Sequence, residues 1–269
     1  MNSIIKSSIK ITLDKESRIL RRIVLECLES EKRGHVGSAM SLIEIMRVLF
    51  AKFIKKNKSK FILSKGHGCL ALYAVLFQKR FISKQDLLSV GKFNSKLGGH
   101  PEHDKVKGVE ISTGALGHGL PIAVGMAIAS KLKRDKKLFF VVCGDGEMNE
   151  GSMWEALLSA SKHKLDNLIL LIDNNKLQSY GPIKEILDLE PLKKKLISFN
   201  FETYEVNGHD VSQLEKIIKK AVLKKRKPKA IICHTVKGKG IKIAEHNPMW
   251  HHKSFLSEDD LKKIKESLI

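Results

Sequence analysis

VVCGDGEMNEGSMWEALLSASKHKLDNLILLIDNNKLQ, residues 141–178, is the stretch that decides the fold. Two apolar runs of strand character end in Gly144-Asp145-Gly146 and in Asp173-Asn174-Asn175, with a helix-forming segment between them. A strand, a helix and a second strand at this spacing form the unit of a parallel sheet. In such a sheet ligands bind beyond the carboxyl ends of the strands, where both polar clusters fall. The flanking glycines leave Asp145 free to reach outward, and the N–H groups of a glycine turn ahead of a helix suit phosphate. A carboxylate, an amide oxygen and a nearby backbone carbonyl are hard ligands that suit Mg2+ or Ca2+, with diphosphate oxygens and water completing the shell. The local reading is a diphosphate held through a divalent ion. Alone, Gly-Asp-Gly would read as a capped turn.

Outward from this stretch, the pattern of strands alternating with helices continues. Ile19, Leu20, Ile23, Val24, Cys27 and Leu28 recur at helical spacing and predict a helix over 15–30. Residues 41–54 continue helically, 61–64 read as a short strand, and LALYAVLFQ reads as the helix after it. Ser83 and Asp86 form a capping box. Helices are predicted at about 117–133, 149–163 and 211–224, and strands at 138–143, 168–172, 203–206 and 230–233. An irregular stretch, 235–256, precedes a capped helix from Ser257. The prediction is an α/β fold, a mainly parallel central sheet flanked by helices on both faces, as one domain over 1–269. Residues 91–119 have seven glycines and no sustained period. A loop of that length in a compact chain reads as functional, and glycine lets backbone approach a ligand.

The net charge of +20 comes mostly from lysine. It admits nucleic acid or phosphorylated substrates as partners, but the lysines are scattered over most helices, as on a solvated surface. Aromatic residues are few, which argues against base-stacking platforms. Cys27, Cys69, Cys143 and Cys233 are far apart and form no CxxC pair, so neither a zinc site nor a disulfide framework is indicated. The N-terminus has no continuous apolar segment, and no run approaches the roughly 20 residues of a membrane span. Cytoplasm is the expected compartment, with neither nucleic acid nor membrane as a partner.

Gly-Asp-Gly followed after 27 residues by Asn174-Asn175 resembles the diphosphate-binding motif of thiamine diphosphate enzymes. Five further segments resemble the N-terminal, diphosphate-binding part of transketolase: RGHVGSAMS at 33–41, LSKGHGCLALY at 63–73, LGGHPE at 97–102, STGALGHGLPIAVGMAIA at 112–129 and TVKGKGIKIAEHNPMWHHK at 235–253. The resemblance implies the diphosphate-binding (PP-type) domain of the thiamine diphosphate-binding fold. It also implies a transferase that moves a two-carbon ketol unit between sugar phosphates. GHPEH and STGALGHG favour it over deoxyxylulose phosphate synthesis or a dehydrogenase first component.

By that resemblance Asp145 and Asn175 bind the metal through side chains and Leu177 through its carbonyl, with Gly144 and Gly146 in the same turn. His67 and His251 lie against the diphosphate. His35 and His100 line the substrate channel, with His100 at the donor hydroxymethyl end. Gly114 and Leu116 touch the pyrimidine side. Glu150 and Glu155 match acidic residues near the subunit interface, Glu150 also near the cofactor. His252 stands where many full-length relatives have glycine. His163, His209 and His234 read as structural, and Trp154 as helix packing. In the family the next domain supplies the glutamate that activates the cofactor ring. The chain as given stops at the first domain, so the resemblance implies a separate C-terminal subunit carrying that glutamate and a dimer of heterodimers. A specialised carbohydrate pathway and a non-catalytic basic binding protein are the alternatives.

Overall fold

The strands are β1 (Ser59–Leu63), β2 (Leu138–Gly144), β3 (Leu168–Asn174), β4 (Glu202–Asn207) and β5 (Lys229–His234). In the computed structural model, which describes residues 3–268, they form one sheet in the order β1-β2-β3-β5-β4. Every pair is parallel. Met1, Asn2 and Ile269 lie outside the described residues, so the N-terminal reading is met from Ser3 onward. The helices are α1 (Ser3–Lys10), α2 (Lys15–Glu31), α3 (Val36–Val48), α4 (Cys69–Gln78), α5 (Lys84–Leu87), α6 (Gly119–Leu132), α7 (Gly151–Lys162), α8 (Ile183–Ile186), α9 (Leu192–Ser198), α10 (Val211–Leu223) and α11 (Glu258–Ser267).

Alternate residues along each strand point to opposite faces, so a sheet covered on both sides needs apolar residues at every position. β2 meets this: Phe140 and Val142 join the core under α2, α3, α4 and α10. Phe139, Val141 and Cys143 join a second core under α6 and α7. Ile169 and Leu171 of β3 fall in the first core, Leu168, Leu170 and Ile172 in the second.

The predicted strands are present, each a little longer than read, and both capping boxes form. Two expectations need correction. The helix expected from residue 41 starts at Val36, with His35 at its N-cap, and passes into a π turn at Leu49–Phe53. Gly34 and Gly37 hide that start. Gly37 is helical because the chain packs close there: a Cβ would lie 3.0 Å from the Trp250 carbonyl oxygen. The short helices α1, α8 and α9 come in addition to the predicted ones. Two of them are under two turns long and follow prolines, too short for a period to show.

α3 is buried almost all round. Its Glu44 is tolerated because Arg21 of α2 donates to both carboxylate oxygens, at 2.6 and 3.1 Å, and His209 Nδ1 donates at 2.7 Å. Burial alone would raise the Glu44 pKa, but Arg21 and His209 hold it far below the usual carboxylate range. His209 Nε2 accepts from Val236 N at 2.9 Å, and Arg21 Nε donates to Lys239 O at 2.8 Å. The network thereby holds the start of the irregular 235–256 stretch against α2 and α3.

Candidate active site

The carboxyl ends of four adjacent strands open into one cleft. Register sets this: Leu63 pairs with Val142, Gly144 with Asp173, and Asn174 with His234. The residues that follow, Lys65 to His67, Asp145, Asn175 and Lys237, are therefore delivered to one rim. The cleft, ≈ 180 Å³, is lined by His35, His67, His100, Gly114, Leu116, Gly144, Asp145, Gly146, Asn175, Leu177 and His251, together with Lys65, Glu147, Gln178 and Lys237. Glu150 does not line it. It lies at the N-cap of α7 with no side-chain cap bond, and Glu155 is exposed further along the same helix.

Asp145 Oδ1 accepts from Gly146 N at 2.9 Å, and Oδ2 from Lys176 N at 2.5 Å. Asn175 Oδ1 accepts from Leu177 N at 3.1 Å. Each oxygen keeps a lone pair for another partner. Burial, with the Asp173 charge adding to it, pushes the Asp145 pKa up to about 6. Among the described residues no three His, Cys, Asp or Glu side chains gather as a metal-ligand set. The oxygens available here are instead one carboxylate, one amide and one backbone carbonyl, a hard donor set.

Asp173 and Glu147 hold this arrangement in place. Asp173, wholly buried, accepts from Lys65 Nζ at 2.7 Å, Ser41 Oγ at 2.6 Å, Asn175 Nδ2 at 3.3 Å and the Thr235 hydroxyl. Burial works to raise its pKa, but the Lys65 ammonium and the hydroxyl donors prevail and lower it. Glu147 Oε1 accepts from Ser64 Oγ at 2.5 Å and Gly117 N at 3.0 Å, and Oε2 from Gly144 N at 3.2 Å. This carboxylate ties the ends of β1 and β2 to the glycine loop that carries Gly114 and Leu116.

Four imidazoles line the same cleft, and a fifth, His252, packs on one of them without lining it. His35 is central, with ring centroids 5.2 Å from His67, 6.0 Å from His100, 5.4 Å from His251 and 4.5 Å from His252. His67 and His251 are 5.3 Å apart. Burial, then neighbouring histidines and lysines, lowers the pKa of His35 to about 4 and of His251 to about 3. His67 and His100 shift the same way. These four rings are neutral at pH 7, able to donate at one nitrogen and accept at the other. The remaining histidines lie elsewhere. His209 and His234 are buried and paired to Glu44 and Glu205. His103 bonds Val109 O and His118 bonds Leu116 O. His163, read as structural, is exposed at the end of α7. Trp154 packs on Phe199 and donates to Met148 O, a packing role as expected.

The donors fit a diphosphate. Gln178 Nε2, in the lining, is buried with no hydrogen-bond partner. Lys65 and Lys237 add two buried cationic side chains to the same lining. Neither lysine stands out in the sequence, because lysine carries no signal in a chain with 49 basic residues. Asp173 and Glu147 fall inside the 141–178 stretch, but nothing in the sequence gives them a role of their own. Their place at strand ends is the available signal.

The chain matches the family described as "Transketolase, thiamine diphosphate binding domain" over residues 14–268. It is 41% identical over 250 residues to an apulose-4-phosphate transketolase subunit of Actinobacillus succinogenes, covering 90% of each chain. It is 33% identical to a 6-deoxy-6-sulfo-D-fructose transketolase subunit of Clostridium sp. (strain MSTE9), covering 88% of this chain and 91% of that one. Among solved structures, transketolase from Leishmania mexicana superposes with a TM-score of 0.87 at 29% identity. All of this chain is covered there, but only 41% of the Leishmania chain. The chain belongs to the transketolase family, as its thiamine diphosphate binding domain.

Proposed function

We propose that this chain is the diphosphate-binding subunit of a two-chain, thiamine diphosphate-dependent transketolase that moves a two-carbon ketol unit between sugar or sugar phosphate substrates. The observation that carries the reading is the cleft that His35, His67, His100 and His251 line together with Asp145, Asn175 and Leu177. When bound, thiamine diphosphate supplies the carbanion-stabilising centre that ketol transfer needs. Asp145, Asn175 and the Leu177 carbonyl would hold its Mg2+ (or Ca2+). Gly144, Gly146, His67 and His251 would hold the diphosphate, and Gly114 and Leu116 the pyrimidine side. His35 and His100 line the substrate channel, His100 at the donor hydroxymethyl end, and move protons on and off sugar hydroxyls.

Two relatives named as transketolase subunits have nearly the length of this chain, which supports a separate partner. That partner carries the pyrimidine-binding and C-terminal domains with the activating glutamate, and the pair forms a dimer of heterodimers. Ile122 of α6 and Leu158 of α7, the latter one turn from Glu155, are exposed apolar residues on these two helices and suit such a contact. Four free, buried cysteines fit a reducing cytoplasm. No helix among the described residues is long and apolar enough to cross a membrane.

Relatives covered over about nine tenths of their length are named for apulose 4-phosphate and for 6-deoxy-6-sulfo-D-fructose. They favour a specialised sugar substrate. A general pentose phosphate transketolase is the second reading, supported by the likeness to the Leishmania enzyme. The test is ketol transfer with thiamine diphosphate and Mg2+, by this chain alone and with a candidate C-terminal subunit. Silence alone and turnover by the pair is expected. Robust turnover without a partner would sink the two-chain reading.

A further inference from the structure

A second cavity, ≈ 400 Å³, opens at the start of β1, the end of that strand away from the cleft. The two linings share no residue. The apolar part of this one comes from Phe50, Ile54, Phe61 and Phe81. Phe50 and Phe61 meet edge-on with ring centroids 5.0 Å apart and belong to the core. Phe81 is 41% exposed, so its ring is left partly uncovered. Gly108 brings the neighbouring loop down onto that ring: its φ is +95°, and a Cβ there would lie 3.0 Å from Phe81 Cδ2. The charged part of the lining is five lysines, Lys55, Lys56, Lys60, Lys79 and Lys107, against one acid, Glu110. Lys60 Nζ and Glu110 pair at 2.6 Å. The other four lysines have no ion pair among the described residues, and Lys107 Nζ stands 5.4 Å from the Phe81 ring centroid. Four unpaired like charges around one cavity repel each other and attract an anion. The volume suits a molecule of mononucleotide size. A bare sugar phosphate would answer the lysines but leave the aromatic floor wet. A plain hydrocarbon would cover the floor but leave the charges unanswered.

We propose that this cavity is a binding site for an aromatic organic phosphate, a planar ring that lies on Phe81 and the apolar floor and carries its phosphate among the unpaired lysines. The ring supplies apolar area and a face for Phe81, and the phosphate supplies charge-assisted hydrogen-bond acceptors for the ammonium groups. The site stands independently of the thiamine diphosphate reading, because it uses none of the cleft residues.

The test is calorimetry on the full chain with 1-naphthyl phosphate as the probe. One site with a Kd of about 0.1 mM or tighter is expected. 1-Naphthol, which is the ring alone, and inorganic phosphate, which is the anion alone, should each bind at least about tenfold more weakly. No saturable binding, or equal binding of either fragment, overturns the proposal. Phe81→Ser and Lys107→Gln should each weaken the probe about fivefold to tenfold. Affinity unchanged in both would place the probe elsewhere, the cleft included, and overturn the proposal. Lys107→Gln and Lys79→Gln change exposed side chains, so the test survives if Phe81→Ser fails to fold. Lys220 stands over the Tyr204 ring outside the cavity, and Lys220→Gln should change nothing. A loss there equal to that of Lys107→Gln would reveal general attraction to a basic chain and overturn the site. Competition separates the sources of such a phosphate: displacement by adenosine monophosphate marks a nucleotide site, displacement by phenyl phosphate alone a site for smaller aryl phosphates, and displacement by neither overturns the proposal.

Discussion

Glu147 accepts the backbone N–H of Gly117 at 3.0 Å, from thirty residues away in sequence. Through its other bonds the same carboxylate reaches Ser64 and Gly144, so one side chain sets the distance between the Gly144–Gly146 turn and the glycine loop. In Glu147→Gln the amide N–H₂ would face the Gly144 donor. The expected loss is about 1–3 kcal/mol. At roughly 2–4 °C per kcal/mol for a chain of this size, differential scanning calorimetry resolves it. Thiamine diphosphate affinity of the reconstituted pair should fall in parallel.

Glu44→Ala should cost about 3–5 kcal/mol, because it strands the buried Arg21 guanidinium. It also frees His209, and with it the Val236 anchor of the last loop. Urea unfolding monitored by circular dichroism gives the size of the effect. A loss under about 1 kcal/mol, the scale of an ordinary surface pair, would show that the network is not the anchor described.

Gly66→Ala tests how closely two loops approach. A Cβ there would lie 2.7 Å from Thr113 Oγ1 and 2.9 Å from the Gly114 backbone nitrogen. The glycine loop would have to move away from His67, at a cost of about 1–3 kcal/mol. Weaker cofactor binding in the reconstituted pair, with little change in secondary structure, is the expected result.

These three sites also mark how far the sequence can be read. The sheet is legible because strands buried on both faces are continuously apolar, as in β2 and β3, and because glycines and amides punctuate their ends. The histidines are legible through motif order alone, since nothing in the spacing of His35, His67, His100 and His251 says that their rings meet. Glu147, Asp173, Lys65 and Lys237 are not. Their role depends on burial and on partners 60 to 132 residues away, such as Lys237 with Leu177 and Ser41 with Asp173. The start of α3 is hidden for a related reason: Gly37 reads as a helix breaker until the Trp250 carbonyl is placed beside it.

The histidine cluster makes the cofactor-free chain sensitive to acid. An unfolded histidine titrates near pH ~6.5. In the fold His35 titrates at about 4 and His251 at about 3. Between these values the unfolded chain binds protons that the folded chain does not, so stability is full above about pH 6.5 and declines as pH falls. The urea midpoint should be lower at pH 5 than at pH 7.5, and His35→Gln should reduce the difference.

Asp145 acts in the opposite direction. Its folded pKa of about 6 lies above the ordinary value of 3.8, so between these values the folded chain binds the extra proton and acid stabilises it. Asp145→Asn removes that contribution. Below about pH 6 the midpoint of the variant should therefore fall more steeply than that of the wild type. The same variant should lose Mg2+-dependent cofactor binding in the reconstituted pair. Binding that survives, measured by calorimetry, would refute the metal assignment.

The position of β5 sets an order of events during synthesis. It is the last strand to emerge, yet it inserts between β3 and β4. Until residues 229–234 have left the ribosome, β3 and β4 each present an open edge, and Asp173 lacks its bond from Thr235. Lys237 and His251 emerge later still. A nascent chain therefore carries Lys65, His67 and Gln178 well before Lys237 and His251 exist, and the cleft is finished only as translation of the domain draws to its close.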